Sequence, residues 1–326
     1  MKQFIIISIC CFLTAGCAGN RAVTGLDGTI PLVRAEIEKI SMNVATVRQP
    51  SADRNIAYSR GRSHVLNLST IDVNIPPSHR PGNVETSSVR PDPKTQFHSS
   101  NYHVIADRQA MITHLNHQLE SRSGVQRELF IFVHGYNNNF AEGLFRNAQI
   151  VHDYDVRSVP IHFSWASAAS FTRYLYDRDS AIIARQGLKE TLELAADTKA
   201  NGIVIVGHSM GAVVVMEALR TLAVARRKDV LDQINGVLLA AADIDPDLFR
   251  SQVDDIGKLP QPFTILVSRR DRALDLSRRL AGGEPRIGSG FDIAFLQKKN
   301  VQVLDVSELD RGGIACLRTQ PPLSSC

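Results

Sequence analysis

The sequence predicts an α/β protein: a mostly parallel sheet with helices on both faces, preceded by an N-terminal extension with a few antiparallel strands. Three observations point there. From Leu129 onward, short apolar, β-branched runs alternate with segments of helical periodicity, as in a parallel sheet covered on both sides. The run Ile203-Val204-Ile205-Val206 stops at Gly207-His208-Ser209-Met210-Gly211, and an apolar-periodic helix begins at once. A strand that becomes a helix across G-x-S-x-G is the sequence form of a nucleophile elbow. Residues 20–127, by contrast, are polar and punctuated by prolines.

In that N-terminal region, Val65–Leu68 and Ile71–Ile75 alternate like half-buried strands. Pro76-Pro77, Pro81-Gly82 and Pro91-Asp92-Pro93 break them. The expectation is a few antiparallel strands and long loops laid over one edge of the core. Asp107–Ser121 has helical spacing, with Met111, Ile112, Leu115 and Leu119 on one face. The regular part then reads strand Leu129–Val133, helix Phe140–Tyr154, strand Val159–Trp165 and helix Asp179–Thr198. It continues with strand Ile203–Val206, helix Met210–Arg226, strand Val237–Ala242 and a helix from about Asp247. Strand Phe263–Val267, helix Arg272–Leu280 and strand Val301–Val306 complete it. The organisation expected is a leader over 1–16, an extension over 17–127, a core over 128–310 and an irregular tail over 311–326.

The chain of 326 residues is 44% hydrophobic, ample for one large core, and its net charge of +4 is dispersed. No basic stripe argues for nucleic acid as a partner. Met1-Lys2, the apolar run Phe4–Leu13 and the small residues before Cys17 read as a signal peptide, too short to span a bilayer comfortably. Leu13-Thr14-Ala15-Gly16-Cys17 resembles a bacterial lipoprotein cleavage box, although Thr14 stands where an aliphatic residue is commoner. The resemblance implies a lipid-modified Cys17 and a membrane anchor in the cell envelope. Ala18-Gly19, with no aspartate after Cys17, implies the outer membrane. Cys316 and Cys326 then remain as thiols, free or paired.

Hydrolysis through a serine needs a nucleophile, a base, an acid that orients the base, and donors for the oxyanion. Ser209 is the nucleophile. The oxyanion donors expected are the N–H of Met210, which follows it, and the N–H of Tyr136, in the loop after Leu129–Val133. Gly135 lets that loop come close, and Gly207 and Gly211 flank the serine where side chains would collide with backbone. His134 and His208 are expected to hold loops in place. Asp271, after the second strand beyond the elbow, is the expected acid. Asp243 and Asp245, one strand earlier, are the alternatives. No metal or other cofactor is required by this chemistry.

The base is missing from its expected place. In this arrangement a histidine follows the last strand, but no histidine occurs after His208.

These segments together resemble the α/β-hydrolase superfamily, and more narrowly a bacterial group of esterase/lipase-like hydrolases of unknown function. The resemblance rests on Phe132–Asn138, Phe163–Ser167, Gly207–Gly211, Ala241–Asp245 and Ser268–Leu274, and spans roughly Ala57 to Leu309. It implies an eight-stranded-type sheet, a serine hydrolase mechanism, and Ser209 and Asp271 in a triad. It also implies a histidine and a final helix after the last strand, from which this sequence departs. Three explanations compete: an altered or truncated tail, an upstream substitute such as His103, His152 or His162, or a fold kept for binding. The first function expected is therefore a lipid-anchored hydrolase of small-molecule or lipid esters, impaired by the missing histidine. The alternative is a catalytically inactive envelope binding module. Phe171, Tyr174, Leu175 and Tyr176 are candidates for an apolar lid or for core packing.

Overall fold

The computed structural model describes residues 21–26, 37–53, 55–268, 285–289 and 293–307. Nine strands form one sheet: β1 (Lys39–Pro50), β2 (Tyr58–Asn74), β3 (His98–Ile105), β4 (Leu129–Val133), β5 (Val159–Ser164), β6 (Ile203–His208), β7 (Ile234–Ala240), β8 (Phe263–Val267) and β9 (Val301–Asp305). Their order is β3-β2-β1-β5-β4-β6-β7-β8-β9. Every pairing from β1–β5 to β8–β9 is parallel, and β1–β2 and β2–β3 are antiparallel. The mostly parallel sheet and the antiparallel N-terminal strands are as the sequence predicts.

Two expectations are corrected. The N-terminal strands do not lie over an edge of the core. They extend the sheet in its own plane, because β1 pairs directly with β5 from Asn43↔Ile161 to Thr46↔Ser164. A single sheet therefore crosses the boundary expected near residue 127. And among the described residues the sheet has nine strands rather than an eight-stranded plan; Val65–Leu68 and Ile71–Asn74 both belong to β2, and alternation singled out neither β3 nor β1. Its segment Met42–Thr46 is buried on both faces, so it lacks the in–out rhythm of a half-buried strand.

Among the described residues seven helices cover the sheet: α1 (Arg108–Glu120), α2 (Phe140–Asp153), α3 (Tyr174–Ala196), α4 (Gly211–Val224), α5 (Lys228–Leu231), α6 (Pro246–Ile256) and α7 (Ile293–Lys298). Strand alternation sorts them. Leu129, Ile131, Val133, Ile203, Ile205, Leu239 and Ile265 pack with Leu115, Leu188, Leu219, Phe249 and Leu296 from α1, α3, α4, α6 and α7. Phe130, Phe132, Val206 and Leu238 point the other way, with Ile150 and Val151 of α2. Each such buried side chain contributes about 1.5–3 kcal/mol.

α4 contains Val213-Val214-Val215, a poor helix sequence by propensity. All three are buried, so packing overrides propensity. α2 starts on a capping box: Asn139 Oδ1 accepts from Glu142 N at 2.9 Å, and Glu142 Oε2 accepts from Asn139 N at 2.8 Å. That cap fixes the loop from His134 to Asn139 beside the elbow. α3 starts at Tyr174, five residues before the sequence-predicted start, so Tyr174, Leu175 and Tyr176 belong to its first turn. Among the described residues, no helix is long and apolar enough to cross a membrane.

Candidate active site

The elbow forms because β6 must end where α4 begins. Ser209 takes φ 51°, a left-handed conformation costing a non-glycine residue about 1–3 kcal/mol. Three backbone bonds, to the end of β7, to the loop after it and to the first turn of α4, hold it there. Ser209 N–H donates to Ala240 O (2.9 Å), while Ser209 O accepts from Ala212 N (3.0 Å) and Asp243 N (3.3 Å). A Cβ on Gly211 would lie 2.4 Å from Val133 O and 2.5 Å from His134 O, so only glycine lets α4 start against the end of β4. A Cβ on Gly135 would lie 2.9 Å from Ser209 Cβ and 2.8 Å from His208 Nδ1. The loop after β4 thus rests directly on the serine, as the sequence predicts. Gly207 faces the first turn of α4 in the same way.

The Ser209 residue is half-buried. Among the described residues its hydroxyl has no hydrogen-bond partner, and the N–H groups of Met210 and Tyr136 have no acceptor. Met210 follows the serine at the start of α4, and Tyr136 follows Gly135, which rests on the serine from the β4 loop. The position of a helix N-terminus there favours negative charge.

His134 is an architectural residue. Trp165 N donates to its Nε2 (3.2 Å), so the proton sits on Nδ1, which donates to Gly135 O (2.9 Å). The Trp165 indole stacks on its ring at 5.1 Å and donates from Nε1 to His134 O at 2.7 Å. Burial, with Arg48 and His162 nearby, drives its pKa well below the usual imidazole value. His208 is held neutral in the same way, lowered to about 4 by burial and by Arg146.

Arg48 is a residue that sequence reasoning missed. It is fully buried in β1 and donates to Ser164 Oγ, Ser59 O, Ser167 O and Asn138 O. Burial lowers its pKa to about 10, against the pull of Asp177. Its only sequence signal is a lone arginine closing the run Met42–Val47. Asp177 was missed too. Its carboxylate accepts from Ser167 Oγ (2.6 Å) and Ala168 N (2.6 Å), which shapes the loop after β5. Tyr174 is buried and donates to Asp243 (3.1 Å), while Tyr136 donates to Phe171 O (2.7 Å). Of the four lid candidates, Tyr174 is core, Tyr176 packs under Arg62 at 4.1 Å, and only Phe171 and Leu175 are exposed.

Asp271 lies outside the described residues, as do Cys17, Cys316, Cys326 and the segment after Ser307. Both alternative acids are engaged elsewhere. Asp243 forms a buried ion pair with Arg286 (3.1 Å), and Asp245 caps α6 by accepting from Asp247 N and Leu248 N. All ten histidines of the sequence fall among the described residues, and none is hydrogen-bonded to Ser209. The three upstream substitutes do not reach it. His103 is exposed on the far-edge strand β3. His152 sits in the last turn of α2, the end remote from the elbow. His162 is sealed beneath α2 with both ring nitrogens unpartnered, and burial with Arg48 lowers its pKa to about 3.

A sheet of this topology with an elbow at the end of β6 and a glycine loop seated on it defines an α/β hydrolase. The model of the family described as alpha/beta hydrolase of unknown function (DUF900) matches residues 107–323, more than half of the chain, and the chain belongs to that family. A comparison with curated proteins found no match.

Proposed function

We propose that the protein is a serine hydrolase of carboxylic esters. Ser209 Oγ attacks the ester carbonyl and gives its proton to solvent water, which returns one to the departing alkoxide. The oxyanion that forms lies between the N–H groups of Met210 and Tyr136. The tetrahedral intermediate expels the alcohol, and water releases the acid from the acyl-serine. The observation that carries this reading is the strained, half-exposed Ser209, whose hydroxyl has no partner among the described residues, as the N–H groups of Met210 and Tyr136 have none. In this reading Asp271 supplies the acid, and the anchor at Cys17 holds the enzyme on the outer membrane, facing the periplasm and its lipid or small-molecule esters.

With no imidazole bonded to Ser209, turnover is expected to be slow. Oxyanion stabilisation and binding alone leave roughly 10³–10⁴-fold acceleration over water. That same feature supports a second reading, a hydrolase fold retained for binding. A fluorophosphonate probe with p-nitrophenyl butyrate separates the two. Labelling and slow hydrolysis that Ser209→Ala abolishes support the enzyme. If Ser209 stays unlabelled beside a labelled control hydrolase, the enzyme reading fails.

A further inference from the structure

At the end of α2 remote from the elbow, two histidines and three carboxylates meet. Fourteen residues of helix at about 1.5 Å each put this cluster roughly 20 Å from the start of α2. His79, in the connection between β2 and β3, brings Nε2 to 2.8 Å from Asp153 Oδ1. His152 brings Nδ1 to 2.8 Å from the same oxygen. One donor atom each from His79, His152 and Asp153 lie within 4.8 Å of one another. His79 and Asp153 are buried at 4% side-chain exposure each, and His152 sits at the rim with 26%.

The outward-facing atoms of this group are also engaged. His79 Nδ1 meets Glu85 Oε2 at 2.8 Å, and His152 Nε2 meets Glu38 Oε2 at 3.5 Å. Asp153 Oδ2 accepts from Gly82 N (2.6 Å) and from Gln149. Arg146 holds that shell by donating to Gln149 Oε1 (2.8 Å) and Gly82 O (3.1 Å). Imidazoles that turn one nitrogen to a carboxylate and the other to a shared point are the outer-shell pattern of metal-bound histidines.

We propose that His79 Nε2, His152 Nδ1 and Asp153 Oδ1 form a site for a divalent transition ion of the Zn²⁺ class, with Glu85 and Glu38 as outer-shell acceptors. Two nitrogens and one carboxylate oxygen suit that ion. Proton accounting favours it too. A neutral His79 has one N–H for two carboxylates, and a neutral His152 likewise. An ion at the shared point takes one lone pair from each ring and leaves each remaining N–H for Glu85 or Glu38. Bonds of about 2.0–2.1 Å in tetrahedral geometry space the ligands by about 3.3 Å, so the two 2.8 Å contacts open by about half an ångström. The ion staples the long proline-broken connection between β2 and β3 to α2. His79 and Glu85 precede the family-matched span, while His152 and Asp153 lie within it.

The test uses the full chain, stripped with EDTA and dialysed against Zn²⁺ or Co²⁺ at pH 7.5. Expected are one Zn²⁺ per chain by elemental analysis, visible d–d bands with Co²⁺, and a Tm raised by Zn²⁺. His152→Gln, at the rim and folded by circular dichroism, loses all three. Glu85→Gln, which removes an outer-shell acceptor, binds about 10–100-fold more weakly. Substoichiometric Zn²⁺ in the wild type, or equal binding by His152→Gln, overturns the site and leaves an imidazolium–carboxylate cluster. None of the three readouts depends on Ser209.

Discussion

The buried imidazoles behind the elbow make the fold acid-labile, and His162 shows how much. It lies between Phe132 and His134 with centroid distances of 6.4 and 5.8 Å. Neither ring nitrogen has a partner. Burial, reinforced by Arg48, lowers its pKa from 6.5 to about 3. Below 6.5 the unfolded chain binds a proton that the folded chain refuses. The stability present above pH 6.5 is therefore lost as pH falls towards 3. For this one residue the loss between pH 7 and pH 5 is about 2 kcal/mol. His208, lowered to about 4 by burial and Arg146, adds about 2 kcal/mol over the same window. His134 shifts in the same direction. Near pH 5 His162 and His208 alone give the unfolded chain close to two extra protons, a slope of about 2.5 kcal/mol per pH unit, which His134 steepens. Urea titrations from pH 7.5 to 5, followed by the fluorescence of the buried Trp165 that stacks on His134, measure that slope. His162→Leu is expected to reduce it by about one proton, whatever its effect on stability at pH 7. An uptake of less than one proton in the wild type, or an unchanged slope in His162→Leu, would refute the reasoning.

Two further outcomes follow from the packing around the serine. Gly211→Ala sets a methyl against the backbone oxygens of Val133 and His134, atoms that cannot rotate away, and is expected to lower stability by at least about 1–3 kcal/mol in urea; a wild-type midpoint would show that α4 does not start against β4. Asn139→Ala removes the cap of α2 and is expected to cost about 1 kcal/mol, with a lower Tm as the check.

Much of the fold was legible because its cues are local. The β-branched runs ending at Val133, Val206 and Val267, with helical periodicity between them, can be read without knowing what they touch. The elbow was legible for the same reason, since a tight strand-to-helix turn demands its small residues within five positions. β1 was not legible, because burial on both faces erases alternation. Arg48 was not legible either. Its partners, Ser59, Asn138, and Ser164 with Ser167, lie in three separate segments, and nothing at position 48 announces that a guanidinium will span them. The fates of Asp243 and Asp245 depended on Arg286 and on the start of α6. Spacing alone offered both as alternatives to Asp271, but only the fold shows one in an ion pair and the other as a cap.

The surviving elbow is weaker evidence for turnover than its motif suggests, and the contacts show why. Ser209 N ties β6 to the end of β7 through Ala240 O, and Ser209 O receives Asp243 N. Gly211 lets α4 abut β4. These bonds use the backbone of the motif, not the serine hydroxyl, so they maintain the sheet whether or not an acyl group is ever transferred. His134, beside the elbow, is likewise committed. The His134 lone pair takes Trp165 N–H and its proton faces Gly135 O, so it has no free nitrogen to receive the serine's proton. His162 has free nitrogens but is sealed under α2. Folding alone therefore accounts for these contacts but not for two features, the Ser209 hydroxyl and the N–H groups of Met210 and Tyr136, which have no partner among the described residues. Those are the groups that an acylating probe reads, which makes labelling of Ser209, rather than further inspection of the motif, the observation that separates an enzyme from an inherited scaffold.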